Sequence, residues 1–171
     1  RLDSGLQVGF IGGSDNHERN PGLGGAITGV WAAENTREAI YAAFHARRVF
    51  ATTGLRPEMR FSIGEILMGS EGNTDATPEL SIHVSCDVPV EAVEVVRDGT
   101  IVQVWRGKTT DLTYSWRDHN CRHGRHWYYV HVRFQAPPGQ IDWSLPMPMQ
   151  WNVKPACGID AWTSPIYITK E

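Results

Sequence analysis

Apolar and polar residues alternate differently in two regions of the chain. Within residues 1–56, the apolar run Val8–Ile11 predicts a buried strand. A later stripe formed by Ile40, Ala43 and Phe44 has the spacing of an amphipathic helix. One strand and one helix predict a βα unit, and such a unit needs a partner to bury its apolar faces.

The predicted helix carries signals for both of its ends. Asn35 and Glu38 have the spacing of a capping box, with Asn35 as the N-cap residue. Arg47 and Arg48 fall in the predicted last turn, where the helix dipole favours positive charges. Gly54 then predicts the end of the segment.

From residue 57 onward, shorter alternating segments predict β-structure. The polar, glycine-rich stretch 69–78 predicts a loop, and Asp98 with Gly99 between two apolar runs predicts a tight hairpin. Strands are predicted at Met59–Ile63, Leu80–Val84, Ala92–Val96, Ile101–Trp105, Leu112–Trp116, Trp127–Phe134, Met149–Val153 and Pro165–Thr169. This series of short strands predicts an antiparallel β-sandwich over residues 57–171.

Two polar residues, Asp15 and His17, follow the predicted strand Val8–Ile11. Side chains two residues apart at a strand end point to the same side, so their polar atoms are expected about 4–6 Å apart. A carboxylate and an imidazole in this arrangement suit a divalent metal ion. The alternative is a strand-to-loop turn, in which Asp15 caps backbone amides and His17 is an exposed polar residue.

The segments around this pair resemble a known family. They are GFIGGSDNH at 9–17, Pro-Gly at 21–22, RRVFATTGLR at 47–56 and WTSPIYI at 162–168. Together they resemble the C-terminal part of metallohydrolase-like proteins of the PHP (polymerase and histidinol phosphatase) type, and more closely the DUF3604 group. The resemblance spans both ends of the chain, while the middle matches only in pattern.

The resemblance implies an α+β fold, with residues 1–56 as the terminal βα unit of a PHP-type barrel and residues 57–171 as an antiparallel β-sandwich domain. It implies a metal-dependent hydrolase of phosphoesters or related esters, with Asp15 and His17 as metal ligands. The other ligands of such proteins come from motifs such as His-x-His, which this chain lacks. We therefore expect this chain alone to be inactive and to bind metal weakly or not at all.

The implied cofactors of the full-length parent protein are divalent metal ions. Mixed oxygen and nitrogen ligands leave zinc, manganese and iron open. Such ions lower the pKa of a bound water and stabilise negative charge during ester hydrolysis.

The start of the chain predicts that it is the C-terminal part of a longer protein, since Arg1 is followed almost directly by the apolar run. The expected partners are the missing N-terminal barrel portion and a small-molecule ester substrate. Residues 1–56 are expected to mediate self-association of the isolated chain. A net charge of −3 predicts no nucleic-acid partner, and no apolar run is long enough to span a membrane.

Two arginines near the predicted helix end, Arg48 and Arg56, are candidate anion-binding residues. A guanidinium group binds phosphate or sulfate bidentately, which makes such a role chemically natural. The alternative is that this segment is a helix C-terminus that docks on the β-rich region.

A second candidate metal cluster consists of His119, Cys121, His123 and His126. Histidine and cysteine side chains at this density can hold a transition metal. The alternative is a polar, positively charged hairpin loop between two strands.

A function of a different class also fits the sequence. The chain is then a non-catalytic β-sandwich module that binds a ligand or a partner protein. A His-x-His motif upstream of Arg1 in the parent protein would favour the hydrolase over this module.

Overall fold

A computed structural model describes residues 2–13, 25–135 and 160–171 of the chain. A short 3₁₀ turn covers Leu2–Ser4, and the helix α1 covers Arg37–His45. The strands are β1 (Ile27–Val30), β2 (Val49–Thr52), β3 (Glu58–Ile63), β4 (Ile66–Leu67), β5 (Glu71–Thr74), β6 (Glu79–Arg97), β7 (Thr100–Arg117), β8 (Gly124–Phe134), β9 (Asp160–Thr163) and β10 (Ile166–Lys170).

The ten strands of the described residues are joined in one sheet. The path β1-β2-β9-β8-β6-β3-β4 forms its main order. Strand β7 pairs with β6, and β10 pairs with β8 and β5. The β5–β10 pair is parallel, and the other pairs in the described residues are antiparallel.

The 19-residue strand β6 sets the shape of the sheet. Along one edge, its first half (Leu80–Ser85) pairs with β3 and its second half (Val90–Arg97) pairs with β8. Strand β7 follows the opposite edge along both halves, with register shifts after Ser85 and Val90. Such irregularities bend a strand and increase its twist. The sheet is therefore curled into a half-barrel.

The core is a cluster of buried apolar side chains that come mainly from β3, β6, β8 and β10, with single residues from β2, β7 and β9. In β8, Tyr128, Val130, Val132 and Phe134 are fully buried, while the residues between them lie on the other face. The alternation places one side of β8 in the core and leaves the other side for polar groups.

The hairpin predicted at Asp98 and Gly99 is confirmed. Both residues have positive φ angles, 49° and 77°, as a two-residue type I′ turn requires. The turn joins β6 to β7, and Arg97 pairs with Thr100 directly beside it.

The predicted strand Val8–Ile11 is wrong, because this segment is irregular in the structure. Side chains satisfy its backbone groups in place of a neighbouring strand: Tyr167 and Ser164 accept from the N–H groups of Val8 and Phe10. Ile11 is 64% exposed, so the run is not buried as a core strand would be. A short apolar run does not distinguish a strand from a docked loop.

The predicted helix is confirmed as α1, but both of its ends differ from the prediction. Thr36, and not Asn35, is the N-cap, and its Oγ1 accepts from Ala39 N–H at 3.3 Å. The helix ends at a Schellman motif, with Arg47 in the left-handed region at φ 56°. Arg48 therefore lies beyond the helix, where the chain turns into β2.

The fold class predicted from the family resemblance is wrong in both parts. The α+β expectation of a terminal PHP-type βα unit fails, because β1 and β2 form an antiparallel pair within the common sheet. The β-sandwich fails because the strands after residue 57 curl in that same sheet. The domain boundary at residue 56 itself stays a prediction.

Two further segments complete the comparison with the sequence. The stretch predicted as the loop 69–78 contains β5, because its backbone pairs in parallel with β10. The predicted strand Met149–Val153 lies outside the described residues. No helix in the described ranges is long and apolar enough to cross a membrane.

Candidate functional site

A polar cluster lies on the face of the sheet opposite the core. Glu94, His131 and Trp162 are cross-strand neighbours in β6, β8 and β9. Because directly opposed residues point to the same face, the three side chains meet there. Asp160, at the start of β9, completes what we term the His131 cluster.

Both ring nitrogens of His131 contact carboxylates. Nδ1 lies 3.0 Å from Glu94 Oε2, and Nε2 lies 2.7 Å from Asp160 Oδ1. Both contacts are hydrogen bonds only when each nitrogen carries a proton. The ring also stacks on Trp162, with centroids 5.0 Å apart and planes within 3°. In this arrangement neither nitrogen is open to a metal ion.

Sequence reasoning missed the His131 cluster. The available signal was the alternation of β8, which places His131 between the buried residues Val130 and Val132, on the opposite face. Its carboxylate partners are 37 and 29 residues away in sequence, so no local pattern joins them.

A groove of about 560 Å³, which we term the N-terminal groove, lies beside this cluster. The segment Gly9–Gly13 forms one wall, and residues of β2 and β9, including Trp162, line the groove as well. The segment is held in place by Thr28, whose Oγ1 accepts from Gly12 N–H at 3.0 Å and donates to Gly12 O at 2.8 Å. A Cβ at Gly12 would lie 2.4 Å from Ile27 O, so glycine permits this close approach.

Threonine hydroxyls hold the loop after β2 beside this groove. Thr53 Oγ1 lies 3.1 Å from both the backbone N and O of Asp160. Thr52 Oγ1 donates to Leu55 O at 2.7 Å and accepts from Gly54 N–H at 3.1 Å. These bonds give both threonines a structural role in shaping the groove.

The predicted metal ligands Asp15 and His17 lie outside the described residues. The described part of this segment ends at Gly13, which itself lines the N-terminal groove. The geometry predicted for the pair therefore stays a prediction.

The two predicted anion-binding arginines lie in different surroundings. Arg48 is exposed and lines a second cavity together with Trp31 and Arg60. Arg56 is exposed and lines neither this cavity nor the N-terminal groove. An anion-binding role stays a prediction for both.

The second predicted metal cluster is dispersed in the structure. The buried Cys121 Sγ contacts Arg122 O at 3.6 Å, and His119 and His123 are exposed. His126 uses both nitrogens, with Nδ1 2.6 Å from Asp98 Oδ2 and Nε2 2.9 Å from Arg122 O. Within the described part of the chain, no group of three or more His, Cys, Asp or Glu side chains is placed to hold a metal.

The same loop is anchored by a buried carboxylate, Asp118. Its Oδ1 accepts from Asn120 N–H, and its Oδ2 accepts from Tyr128 OH at 3.0 Å and pairs with the Arg97 guanidinium. Burial raises the pKa of Tyr128 well above its ordinary value, and the hydrogen bond with Cys121 and the charge of Asp118 act in the same direction.

We expect stability to fall at alkaline pH because of Tyr128. Its raised pKa means that the stability it contributes is complete below about pH 10 and is lost above that, since the unfolded tyrosine ionises first. The slope for one such group reaches about −1.4 kcal/mol per pH unit. Urea unfolding between neutral and alkaline pH should therefore show a flatter pH dependence for Tyr128→Phe.

Tyr129→Phe provides the comparison for this experiment. Burial and the charge of Glu94 also raise the pKa of Tyr129, but that side chain is only half-buried. We expect Tyr129→Phe to flatten the alkaline slope less than Tyr128→Phe. If the free energy of unfolding falls equally steeply with pH in the wild type and in Tyr128→Phe, Tyr128 does not cause the loss of stability at alkaline pH.

Comparisons with known proteins match part of the chain. The family described as "Protein of unknown function (DUF3604)" matches residues 16–83. An uncharacterized protein of Chlamydia pneumoniae is 29% identical over 136 residues, which are 68% of this chain and 21% of that protein. The chain thus spans about a fifth of the length of this curated relative. No solved structure matches the chain significantly.

These matches confirm the similarity to DUF3604 over residues 16–83. The descriptions of the matched family and of the matched protein name no activity, and nothing in them supports a PHP-type metallohydrolase. The activity implied by the sequence resemblance is therefore a proposal.

Proposed function

We propose that this chain is part of a metal-dependent hydrolase in which Asp15 and His17 are two of the metal ligands. The observation that carries the proposal is the position of Gly9–Gly13, which leads into Asp15 and His17 and forms a wall of the N-terminal groove. The groove offers space for a small substrate next to Gly13, the last described residue before this pair. Phosphoesters or related esters are the substrate class, as the sequence resemblance implied.

The donor chemistry of this pair fits a divalent ion in part. A carboxylate oxygen and an imidazole nitrogen suit zinc, manganese or iron, but two ligands are fewer than the three or four that a zinc site needs. The His131 cluster does not complete the set, because both nitrogens of His131 face carboxylates. A bound ion would supply an activated water and stabilise the charge that develops on the ester.

The remaining ligands would come from other residues of a longer protein. The length of the Chlamydia relative supports this, since the chain covers 21% of it. In such a protein, the chain itself would contribute Asp15 and His17, while Thr28, Ser164 and Tyr167 hold the segment before them.

We expect Asp15→Asn and His17→Gln, made in the full-length protein, to lower bound metal and hydrolysis of p-nitrophenyl phosphate together. Loss of a residue that only orients a metal ligand lowers metal affinity or activity about 10–100-fold. Loss of a ligand itself should therefore lower them about 100-fold or more. Elemental analysis and initial rates on the same samples measure both effects.

Asp75→Asn and His45→Gln are matched controls, because they make the same chemical changes at exposed positions that were not candidate metal ligands. They should leave the metal content and the rate unchanged. Full metal content and full activity in both ligand variants would refute the assignment of Asp15 and His17. For the isolated chain, calorimetry should show weak zinc or manganese binding or none, and tight stoichiometric binding would contradict the need for further ligands.

A non-catalytic binding module is the second candidate function. The observation that favours it is the cavity at Arg48, which is lined by apolar side chains and by two arginines, Arg48 and Arg60. Self-association of the isolated chain through residues 1–56 also stays a proposal, supported by the exposed apolar side chains Leu6, Ile11 and Tyr41. Light scattering that shows a monomer at high concentration would contradict it.

A further inference from the structure

A cavity of about 290 Å³ lies where the chain after β1, the start of β2 and the β3–β4 hairpin meet. We term it the Arg48 cavity. Its lining combines apolar and cationic side chains: Trp31, Ala32, Ala33, Arg48, Arg60, Phe61, Leu67 and Met68. It shares no lining residue with the N-terminal groove, so it is independent of the metal site proposed above.

The aromatic wall of this cavity is fixed from several directions. The indole Nε1 of Trp31 donates to Met59 O, and its backbone N–H donates to Arg48 O at 2.9 Å. The Arg60 guanidinium carbon lies 4.4 Å from the centroid of the Trp31 ring, a cation–π contact. The wall is therefore held in one orientation before any ligand enters.

The floor of the cavity is equally rigid. Phe61 and Met68 are 2% and 4% exposed and belong to the main core, while Leu67 is exposed at the rim. Buried core side chains occupy defined rotamers, so Phe61 and Met68 close the bottom of the cavity rigidly. Such a cavity suits a flat or compact apolar group.

The charge of the cavity is positive. Arg60 forms an ion pair with Glu58 at 3.1 Å. The Arg60 side chain is 64% exposed and the Glu58 side chain is 50% exposed, so this pair is weak. For the Arg48 guanidinium, the described residues provide no carboxylate partner within ion-pair distance. Two arginines thus line the cavity, and the described residues pair only one of them with a carboxylate, so an anion would balance the excess positive charge.

We propose that the Arg48 cavity binds a small organic carboxylate with an aromatic or compact apolar body. The body packs against Trp31 and Leu67 above the floor that Phe61 and Met68 close, and the carboxylate accepts hydrogen bonds from the Arg48 guanidinium. Arg60, held over the Trp31 ring, adds a second positive charge at the same side. A free inorganic anion lacks the apolar body and leaves most of the lining unused.

Benzoate is the probe for this site, added to the full 171-residue chain and followed by two-dimensional NMR and calorimetry. We expect saturable binding that shifts the indole N–H signal of Trp31, which is assigned by its loss in Trp31→Phe. Arg48→Gln should weaken benzoate binding about tenfold, consistent with loss of one charge-assisted contact. Arg48→Glu should abolish it.

Arg37→Gln is the matched control, because it removes another exposed arginine that does not line the cavity. This variant should bind benzoate with unchanged affinity. All the arginine variants should unfold at the same temperature as the wild type. Benzamide, which keeps the ring but lacks the charge, should bind about tenfold more weakly than benzoate.

Three outcomes would overturn the proposal. These are no saturable binding of benzoate at millimolar concentration, equal affinity for benzoate and benzamide, and equal losses of benzoate affinity in Arg48→Gln and Arg37→Gln. Inorganic phosphate that binds as tightly as benzoate and shifts the same signals would show a free-anion site and would refute the requirement for an apolar body.

Discussion

Replacing Asp118 by Ala is expected to destabilise the protein by about 3–5 kcal/mol. The Asp118 carboxylate is 1% exposed and is contacted by the Arg97 guanidinium, the Tyr128 hydroxyl and the Asn120 N–H. Its removal leaves a mostly buried positive charge and a buried hydroxyl without their acceptor, and both groups keep their desolvation cost. Urea unfolding at neutral pH measures the change.

Asp111→Ala is the control for this substitution. Asp111 is also in the β7 region, but it is 71% exposed and pairs with His83 at the surface. We expect a change within about 0.5 kcal/mol, as for other exposed positions. Similar losses for Asp111→Ala and Asp118→Ala would mean that burial does not determine the effect.

Gly69→Ala is expected to produce a loss of stability of comparable size, about 2–5 kcal/mol. Gly69 has a φ of +85°, and a Cβ there would lie 2.3 Å from the carbonyl oxygen of Arg47. The left-handed conformation costs a non-glycine residue about 1–2 kcal/mol, and the displacement of packed backbone adds about 1–3 kcal/mol. Gly69 also ties this turn to the chain, since it donates to Pro165 O and accepts from Arg47 Nε.

Gly64→Ala separates the two contributions to this loss. Gly64 has a φ of +54°, but an added Cβ would meet no atom within 4 Å. Its substitution should cost about 1–2 kcal/mol from the backbone conformation alone. If the urea midpoints of both variants shift equally, the clash with Arg47 is relieved by relaxation and the larger prediction for Gly69 is wrong.

The sequence by itself determined those elements whose signals are local. The alternation of apolar residues located β3, β8 and β10, and Asp98 with Gly99 located the hairpin between β6 and β7. The alternation also located parts of β6 and β7, but each of these long strands was predicted as two separate short strands. The helical stripe located α1. These predictions succeeded because a repeat of two or 3.6 residues reports which side of an element is buried.

Local signals could not place the boundaries and partners of the N-terminal elements. The run Val8–Ile11 has a strand-like composition, yet its N–H groups bond to side chains from residues 164 and 167. The glycine-rich stretch before Trp31 contains β1, which forms because Val49–Thr52 supplies a pairing partner. Both outcomes depend on residues that come together only after folding.

The shape of the sheet was likewise decided by tertiary structure. Alternating strands are compatible with a sandwich and with a single curled sheet, since both bury one face of each strand. The long β6, shared between β3 and β8 with a shift in register after Ser85, makes the sheet curl. The sequence alone shows the strands but not which edges they share.

The candidate sites divide in the same way. The sequence determined that Asp15 and His17 have the spacing of a ligand pair and that Arg48 is a cation suited to anions. Tertiary structure alone brought Glu94 and Asp160 to His131, and brought Trp31 and Arg60 to Arg48. The physical reason is that periodicity fixes the direction of a side chain, whereas its neighbours are fixed by the strand register between distant parts of the chain.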